Sequence, residues 1–501
     1  GDYIMHYKST RGNAYANSSQ EAILKGLAED GGLYVPEHFT YFSINDLKVM
    51  SEGSYIDVAN RVLCRILDDY REETIKRCTS NAYSTGFENN HPAPVVNLNK
   101  NTSVLELWHG PTCAFKDMAL QLLPELMTSA IHDTGADKTV LILVATSGDT
   151  GKAALEGFKD VEGTEIMVFF PEHGVSDMQK LQMITQEGSN VHSVAISGNF
   201  DDAQTGVKRI FTNTKLIEEL DKGGYMFSSA NSINWGRLVP QIVYYFSSYV
   251  ALLKEGVISC GERINFAVPT GNFGNILAGY YAAKMGLPVN KLICASNKNN
   301  VLTDFFHKGV YDRKRTFYRT HSPSMDILIS SNLERLIYDA ADKKSETVSG
   351  FMSQLKETGS YEIPEEIRMK LSDLFTADYI DDDQTAQVIS RYYNQYGYLS
   401  DTHTAVALGV LDLYREATQD STHTVVVSTA SPYKFGKAVA QALIKDQDLE
   451  EYTEYDLLKL LERETSVKIP QPISDVINKP VLHSVKCSKD AMSDTLRKLL
   501  L

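Results

Sequence analysis

The sequence predicts a doubly wound α/β protein preceded by a small, mainly helical unit, and two observations carry that reading. Thr139-Val140-Leu141-Ile142-Leu143-Val144-Ala145 is a continuous run without a charged residue, as expected of a parallel strand covered on both faces. From there on, strand-like runs alternate with stretches of helical period, the pattern that lays helices against a parallel sheet. Ligands of such sheets gather beyond the carboxyl ends of the strands. The turns that close each run are therefore where chemistry is expected.

Taken in order, the amino-terminal unit runs to about residue 98. Ser18-Ser19-Gln20-Glu21 fits a helix cap leading into Ala22–Leu27, and Gly31-Gly32 stops that helix ahead of the extended piece Leu33-Tyr34-Val35-Pro36. Val58, Val62, Leu63, Ile66 and Leu67 predict one amphipathic helix over 56–75, and Arg11 reads as a surface arginine. Ser103–Leu107 reads as a strand, broken by Gly110-Pro111, with Met118, Leu122, Leu123 and Leu126 marking a helix behind it. After the 139–145 run come strands at Ile166–Phe170 and Val191–Ile196, a helix near Ala203–Leu220, a hydrophobic helix Val239–Leu253, a strand Ile264–Val268 and a helix Ile276–Lys284. Asp381-Asp382-Asp383 reads as a helix start, where carboxylates suit the macrodipole. The last clear strand is Thr424–Ser428, and beyond about residue 446 a peripheral helix and an extended tail are expected.

The chain has 501 residues, 49 basic and 64 acidic, for a net charge of -15. That balance argues against nucleic acid or a membrane surface as partner, but not against an anionic substrate held in a locally positive pocket. Six scattered cysteines with no C-x-x-C pair fit reduced thiols in the cytoplasm, and no cluster has metal-ligand spacing. No apolar run approaches the ~18 residues of a membrane span, and the amino end lacks the regions of a signal peptide.

Four stretches carry chemistry. Lys116, in Phe115-Lys116-Asp117, stands where a strand gives way to a helix, a place that can desolvate an amine for use as nucleophile or base; the plain alternative is a solvated lysine at a helix start. Gly271-Asn272-Phe273-Gly274-Asn275 also follows a strand and opens a helix, so that converging N–H groups and the helix dipole suit a phosphate monoester. It lacks the G-x-G-x-x-G of a dinucleotide site, and an empty tight turn is its alternative. Thr146-Ser147-Gly148-Asp149-Thr150-Gly151 has the same placement but the wrong spacing for a Walker loop, and its hydroxyls and amides suit a carboxylate. Asn231-Ser232-Ile233-Asn234 with Arg237 offers donors that can grip a second phosphate, against the commoner reading of an arginine paired on the surface. A pyridoxal phosphate enzyme acting on a phosphorylated amino acid satisfies all four demands. A nicotinamide dehydrogenase is weakened by the missing fingerprint, and a catalytically dead sensor of phosphorylated metabolites by the intact lysine.

Those stretches, with Tyr7–Arg11, Glu21–Leu33, Ser322–Asp326 and Thr429–Phe435, run in the order found in threonine synthases of the long-chain bacterial and fungal kind, which this chain closely resembles. The resemblance implies fold type II, the tryptophan synthase β-like arrangement of two α/β domains around pyridoxal 5'-phosphate, here with an amino-terminal domain. It implies domains at 1–98, at 99–138 with 255–501 (large), and at 139–254 (small and mobile). Lys116 is implied as the Schiff-base lysine and Gly271, Asn272, Phe273, Gly274 and Asn275 as the cradle of the cofactor phosphate. Thr429 is implied as partner of the pyridine nitrogen, Thr146, Ser147, Asp149 and Thr150 as the grip on the substrate carboxylate, and Asn231, Ser232 and Arg237 as the grip on its phosphate. Shorter relatives have Asn where this chain has Asp149, whose charge would repel a carboxylate unless protonated or turned away. The activity implied is conversion of O-phospho-L-homoserine and water to L-threonine and phosphate by a cytoplasmic monomer or small homo-oligomer, with serine or threonine dehydratase as the alternative. His109 is assigned no role.

Overall fold

The computed structural model describes residues 3–146, 148–173 and 175–501. Ser147, expected in the carboxylate grip, lies outside the described residues. The amino-terminal region carries β1 (Tyr7–Ser9), β2 (Tyr15–Ala16) and β3 (Tyr34–Pro36), an antiparallel sheet of order β2-β1-β3. Helices Ser19–Lys25, Ile44–Met50, Tyr55–Ile66 and Glu72–Tyr83 pack around it. The single helix expected over 56–75 is thus two. The chain leaves helical geometry at Leu67 (φ -104°, ψ 60°) and spends the gap on Asp69, whose carboxylate accepts from the backbone N–H of Ser19 (3.0 Å) and Gln20 (2.9 Å) and so caps the first helix. Arg11 is not a free surface arginine either. It pairs with Glu334 at 3.0 Å, fastening the amino-terminal unit to the rest of the molecule.

The remaining strands are β4 (Val95–Asn99), β5 (Thr102–Glu106), β6 (Thr139–Ala145), β7 (Thr164–Pro171), β8 (Val191–Ser197), β9 (Tyr225–Ser228), β10 (Ile264–Pro269), β11 (Val289–Ser296), β12 (Val310–Asp312), β13 (Ser360–Glu362), β14 (Phe375–Tyr379), β15 (Thr424–Ser428) and β16 (Lys486–Ser488). A large sheet has the order β14-β11-β10-β15-β5-β4, parallel throughout except for the edge strand β4. A second sheet, β16-β8-β7-β6-β9, is wholly parallel, while β12 and β13 form a separate antiparallel pair. This is the doubly wound α/β architecture expected, in two copies. The buried helix Trp235–Lys254 carries the chain from β9 of the second sheet to β10 of the large one.

β4 belongs to the large sheet. The tail does not stay with the large sheet: β16 pairs with β8, and the helix Met492–Leu500 lays its apolar face on Ala203, Val207 and Ile210. The helix after Lys116 is also broken, into Asp117–Leu120 and Leu123–Thr134, because Pro124 has no N–H to continue the ladder and instead suits a helix start. The stretch 203–220 likewise divides into Phe200–Thr212 and Thr214–Lys222, Asn213 capping the second through Leu216 N–H at 3.1 Å. The helix start expected at Asp381 is present as a capping box with Gln384. Leu496 is fully buried under the second sheet, so Leu496→Ala is expected to cost about 2–4 kcal/mol, read as a lowered midpoint of urea unfolding.

Candidate active site

Every stretch singled out above leaves the carboxyl end of a strand: Lys116 follows β5, Thr429 follows β15, the 271–275 turn follows β10, Thr146–Thr150 follows β6, and Asn231–Arg237 follows β9. Lys116 and Thr429 are brought together by backbone. Phe115 N–H donates to Thr429 O (2.8 Å) and Ser431 N–H to Cys113 O (3.0 Å), around an antiparallel bridge between Ala114 and Ala430. Asp117 closes the lysine's own turn, accepting from the Thr112 hydroxyl (2.7 Å) and the Thr112 N–H (2.9 Å). Burial raises Asp117 to about 6 against those two bonds. Burial also drags Lys116 down to about 8; Asp149 opposes this, while Arg237 and Lys434 repel the ammonium further.

The 271–275 turn opens the helix Gly274–Lys284 with Phe273 in the left-handed region (φ 70°), so successive N–H groups are free of the helix ladder. Gly271 has to be glycine: a Cβ there would sit 2.7 Å from the carbonyl oxygen of Ser324. The turn is held by Asn332, whose N–H donates to Asn272 O (2.9 Å), and by the Ser330 hydroxyl on Gly271 O (2.6 Å). Asn275 takes the hydroxyls of Tyr244 (2.6 Å) and Tyr245 (2.8 Å) on its oxygen, which leaves its buried Nδ2 as a donor without a partner. Through Asn332 the turn also reaches the 231–237 stretch, since Asn332 Nδ2 donates to Ser232 O (3.0 Å). Gln241 completes the link, donating to Arg237 O at 3.0 Å and lying 3.7 Å from where a Cβ on Gly274 would stand.

Arg237 lies in the first turn of the Trp235–Lys254 helix and is 4% exposed. One guanidinium N–H donates to Ala230 O (2.7 Å), its Nε–H has no partner, and no carboxylate within ion-pair distance accompanies it among the described residues. Burial alone pulls it down to about 10. A guanidinium buried without a counter-ion is costly by several kcal/mol, and the cost falls when an anion binds. Of its neighbours, Asn231 is exposed and Ser232 half-buried, with Ser232 Oγ 3.5 Å from Ser331 Oγ. Asn234 is taken up with capping, accepting from Gly236 N–H (2.8 Å) and donating to Ser229 O (2.7 Å).

On the second sheet, the Thr146 hydroxyl accepts from Gly148 N–H (3.0 Å) and Gly151 N–H (2.9 Å) and pins the start of the helix Asp149–Phe158. The Asp149 carboxylate meets a lysine, Lys434, instead of standing free. Burial works against its charge, but Lys434, 3.0 Å distant, and then Lys116 outweigh it and hold the carboxyl at about 2. Burial likewise opposes the charge of Lys434, and Asp149 raises it above the ordinary lysine value. Sequence reasoning passed over Lys434, although it stands five residues after Thr429 in a stretch already singled out. His403, beside one of the motifs, reads from the sequence as a buried structural histidine. Its Nε2 accepts from Ser324 N–H (3.2 Å), so Nδ1 carries the proton toward Asp401 (2.8 Å), a neutral tautomer that supports the loop over Gly271. His109 sits between Glu106 (2.9 Å) and Glu88 (3.0 Å); burial opposes its charge, but the two carboxylates raise it to about 9. Its ring stacks on Trp108, which donates to Ser428 Oγ (3.0 Å) at the end of β15.

Family models match the chain in three consecutive blocks: a threonine synthase N terminus over residues 6–83, a pyridoxal-phosphate dependent enzyme over 91–354, and a threonine synthase C-terminal region over 404–477. A threonine synthase of Pseudomonas aeruginosa is 39% identical over 439 residues, which cover 87% of this chain and 90% of that protein. The chain belongs to the threonine synthase family. Threonine synthase-like 1 of Macaca fascicularis is 43% identical over 434 residues, 84% of this chain, and the chain spans only 58% of that longer relative. A crystal structure of pyridoxal phosphate-bound threonine synthase from Brucella melitensis superposes with a TM-score of 0.88 at 35% identity, covering 99% of this chain and 98% of that one.

The family's cofactor fits what is present. The 271–275 turn offers open helix-end amides, a glycine approach at 271 and the orphan Asn275 Nδ2, and a desolvated lysine and a hydroxyl on Thr429 stand on adjoining, hydrogen-bonded segments. Among the described residues no group of His, Cys, Asp and Glu forms a metal site, and no helix is long and apolar enough to cross a membrane. In the full chain freed of cofactor, acetylation of Lys116 followed by mass spectrometry is expected to titrate near 8, against about 10.4 for a solvated lysine.

Proposed function

We propose that the protein converts O-phospho-L-homoserine and water to L-threonine and inorganic phosphate. The observation that carries the reading is Arg237, a buried guanidinium with no counter-ion, within electrostatic reach of a lysine whose ammonium is already disfavoured. Together they ask for a substrate with an anionic group at one end and an amine to exchange at the other.

The parts act as follows. Lys116 would carry pyridoxal phosphate, the 271–275 amides would hold its phosphate, and the Thr429 hydroxyl would face its ring nitrogen. The chemistry that pyridoxal phosphate supplies when bound is an electron sink that acidifies the carbons next to the substrate amine. Arg237, with Asn231 and Ser232, takes the substrate phosphate. The amides and hydroxyls of 146–150, Ser147 and Asp149 included, receive its carboxylate at a helix N-terminus. Lys116, with its amine free, would move protons at the α and β carbons. A fall from 10.5 to about 8 raises its free-amine fraction near neutral pH by roughly two orders of magnitude. The phosphate ester's C–O bond breaks at the γ carbon and the leaving phosphate is met by Arg237; water supplies the β hydroxyl, and a proton goes to the γ carbon.

We read the second sheet with its connected tail as the mobile domain that closes over the cleft, in a cytoplasmic monomer or small homo-oligomer; six unpaired cysteines support a reducing compartment. The alternative within the fold, a serine or threonine dehydratase, has no use for Arg237. Lys116→Ala is expected to abolish phosphate release and leave the cofactor without a covalent link to the protein, seen as failure of borohydride to fix it there. Arg237→Ala is expected to lose about 2–5 kcal/mol of binding, or roughly 30-fold or more in KM, with phosphate release from the substrate as the assay. Undiminished activity in Arg237→Ala would favour the dehydratase.

A further inference from the structure

The contact between Lys434 and Asp149 spans the cleft. Asp149 opens the Asp149–Phe158 helix on the second sheet, and Lys434 sits in the Pro432–Phe435 turn behind β15 of the large one. The side chains are 4% and 8% exposed and stand 3.0 Å apart. Yet neither Lys434 Nζ nor Asp149 Oδ1 makes a well-directed hydrogen bond to any described residue. Two buried ions that meet only as charges add little to stability, because desolvation offsets their attraction. What the pair does to its neighbours is the better account of it.

We propose that Lys434 is a positioning residue that acts through Asp149. By cancelling that charge it leaves the 146–150 loop receptive to the substrate carboxylate, and it keeps Lys116 from being drawn into an ion pair of its own. The first effect rests on the reading of 146–150 given above; the second depends only on the chain's own charges. Helix-end amides attract an anion, but an uncompensated carboxylate on the first residue of the same helix repels it. The charged or titratable groups that bear on Asp149 are Lys434, Lys116, His403 and Cys113, and His403 is held as the neutral tautomer by Ser324 and Asp401. Those that bear on Lys434 are Asp149, Cys113, Asp117, Lys116 and Lys152; those that bear on Lys116 are Asp149, Arg237 and Lys434. Without Lys434, therefore, the cation left to answer Asp149 is Lys116. Its ammonium would be favoured, its free amine made scarcer, and the loop beside it would carry an unbalanced negative charge whenever Lys116 is neutral.

The test measures the acetylation titration of Lys116 in the full chain freed of cofactor, and KM and kcat of the holoenzyme with O-phospho-L-homoserine. Lys434→Gln is expected to move the Lys116 midpoint upward from about 8 by about one pH unit, and to raise KM about tenfold or more with a smaller fall in kcat. Lys434→Arg, which keeps the charge, should stay near wild type in both. Adding Asp149→Asn to Lys434→Gln should return the Lys116 midpoint toward wild type, because the charge to be cancelled is gone. Asp149→Asn alone should lower the Lys116 midpoint, which keeps the titration decisive if Lys434→Gln does not fold. An unmoved midpoint in Lys434→Gln, or a double variant whose midpoint stays where Lys434→Gln puts it, overturns the proposal. Should the wild-type holoenzyme release no phosphate from this substrate, the functional reading fails, while the Lys116 titration still decides whether Lys434 acts through Asp149.

Discussion

Lys116 and Lys434 stand within electrostatic reach of Asp149, and Arg237, buried with no carboxylate at ion-pair distance among the described residues, bears on Lys116. That excess of positive charge in a poorly solvated cleft is the constraint on which the rest of the structure depends. Each buried ion costs several kcal/mol when left without a partner, so the cleft is at its least favourable when no anion occupies it. A ligand bearing a phosphate and a carboxylate relieves the cost. Burial first, and then Arg237 and Lys434, lower Lys116 toward the range in which an amine gives and takes protons readily.

Such a site needs a frame that keeps the cations apart and dry, and the frame reaches well outside the two sheets. Arg335, fully buried, donates to Tyr34 O (3.1 and 2.8 Å) on β3 and to Asn332 Oδ1 (2.8 Å). Asn332 in turn holds Asn272 in the 271–275 turn and Ser232 in the 231–237 stretch. The amino-terminal unit is therefore a structural wall of the cleft, joined to it by hydrogen bonds to backbone atoms that no side-chain motif encodes. His403 and Asp401 do the same from the large sheet, fixing Ser324 over Gly271.

Much of this was legible in the chain. Parallel strands that are covered on both faces have to be apolar throughout, so β6, β10 and β15 stood out by composition, and the turns behind them marked where ligands gather. Strands that begin with polar residues were not legible: β11 starts Val289-Asn290-Lys291 and becomes buried only from Leu292, and β9 is short and only half-buried over most of its length. The break at Leu67 was hidden because its cause, Asp69 capping a helix some 50 residues earlier, is a contact between distant segments. The same holds for β16, whose three residues make a strand only because β8 offers an open edge.

By itself the sequence determined the local chemistry: which residues can bear charge, which turns expose amides at a helix start, and which runs have to be buried. Periodicity and residue type act over a few positions, and a reader of the chain has access to them. Only the tertiary structure decided which charges meet. That Asp149 answers Lys434 from the other sheet, and that Arg237 answers no carboxylate among the described residues, follows from the packing of two sheets whose strands interleave along the chain. Electrostatic energy depends on separation and solvent exclusion, and sequence spacing carries neither.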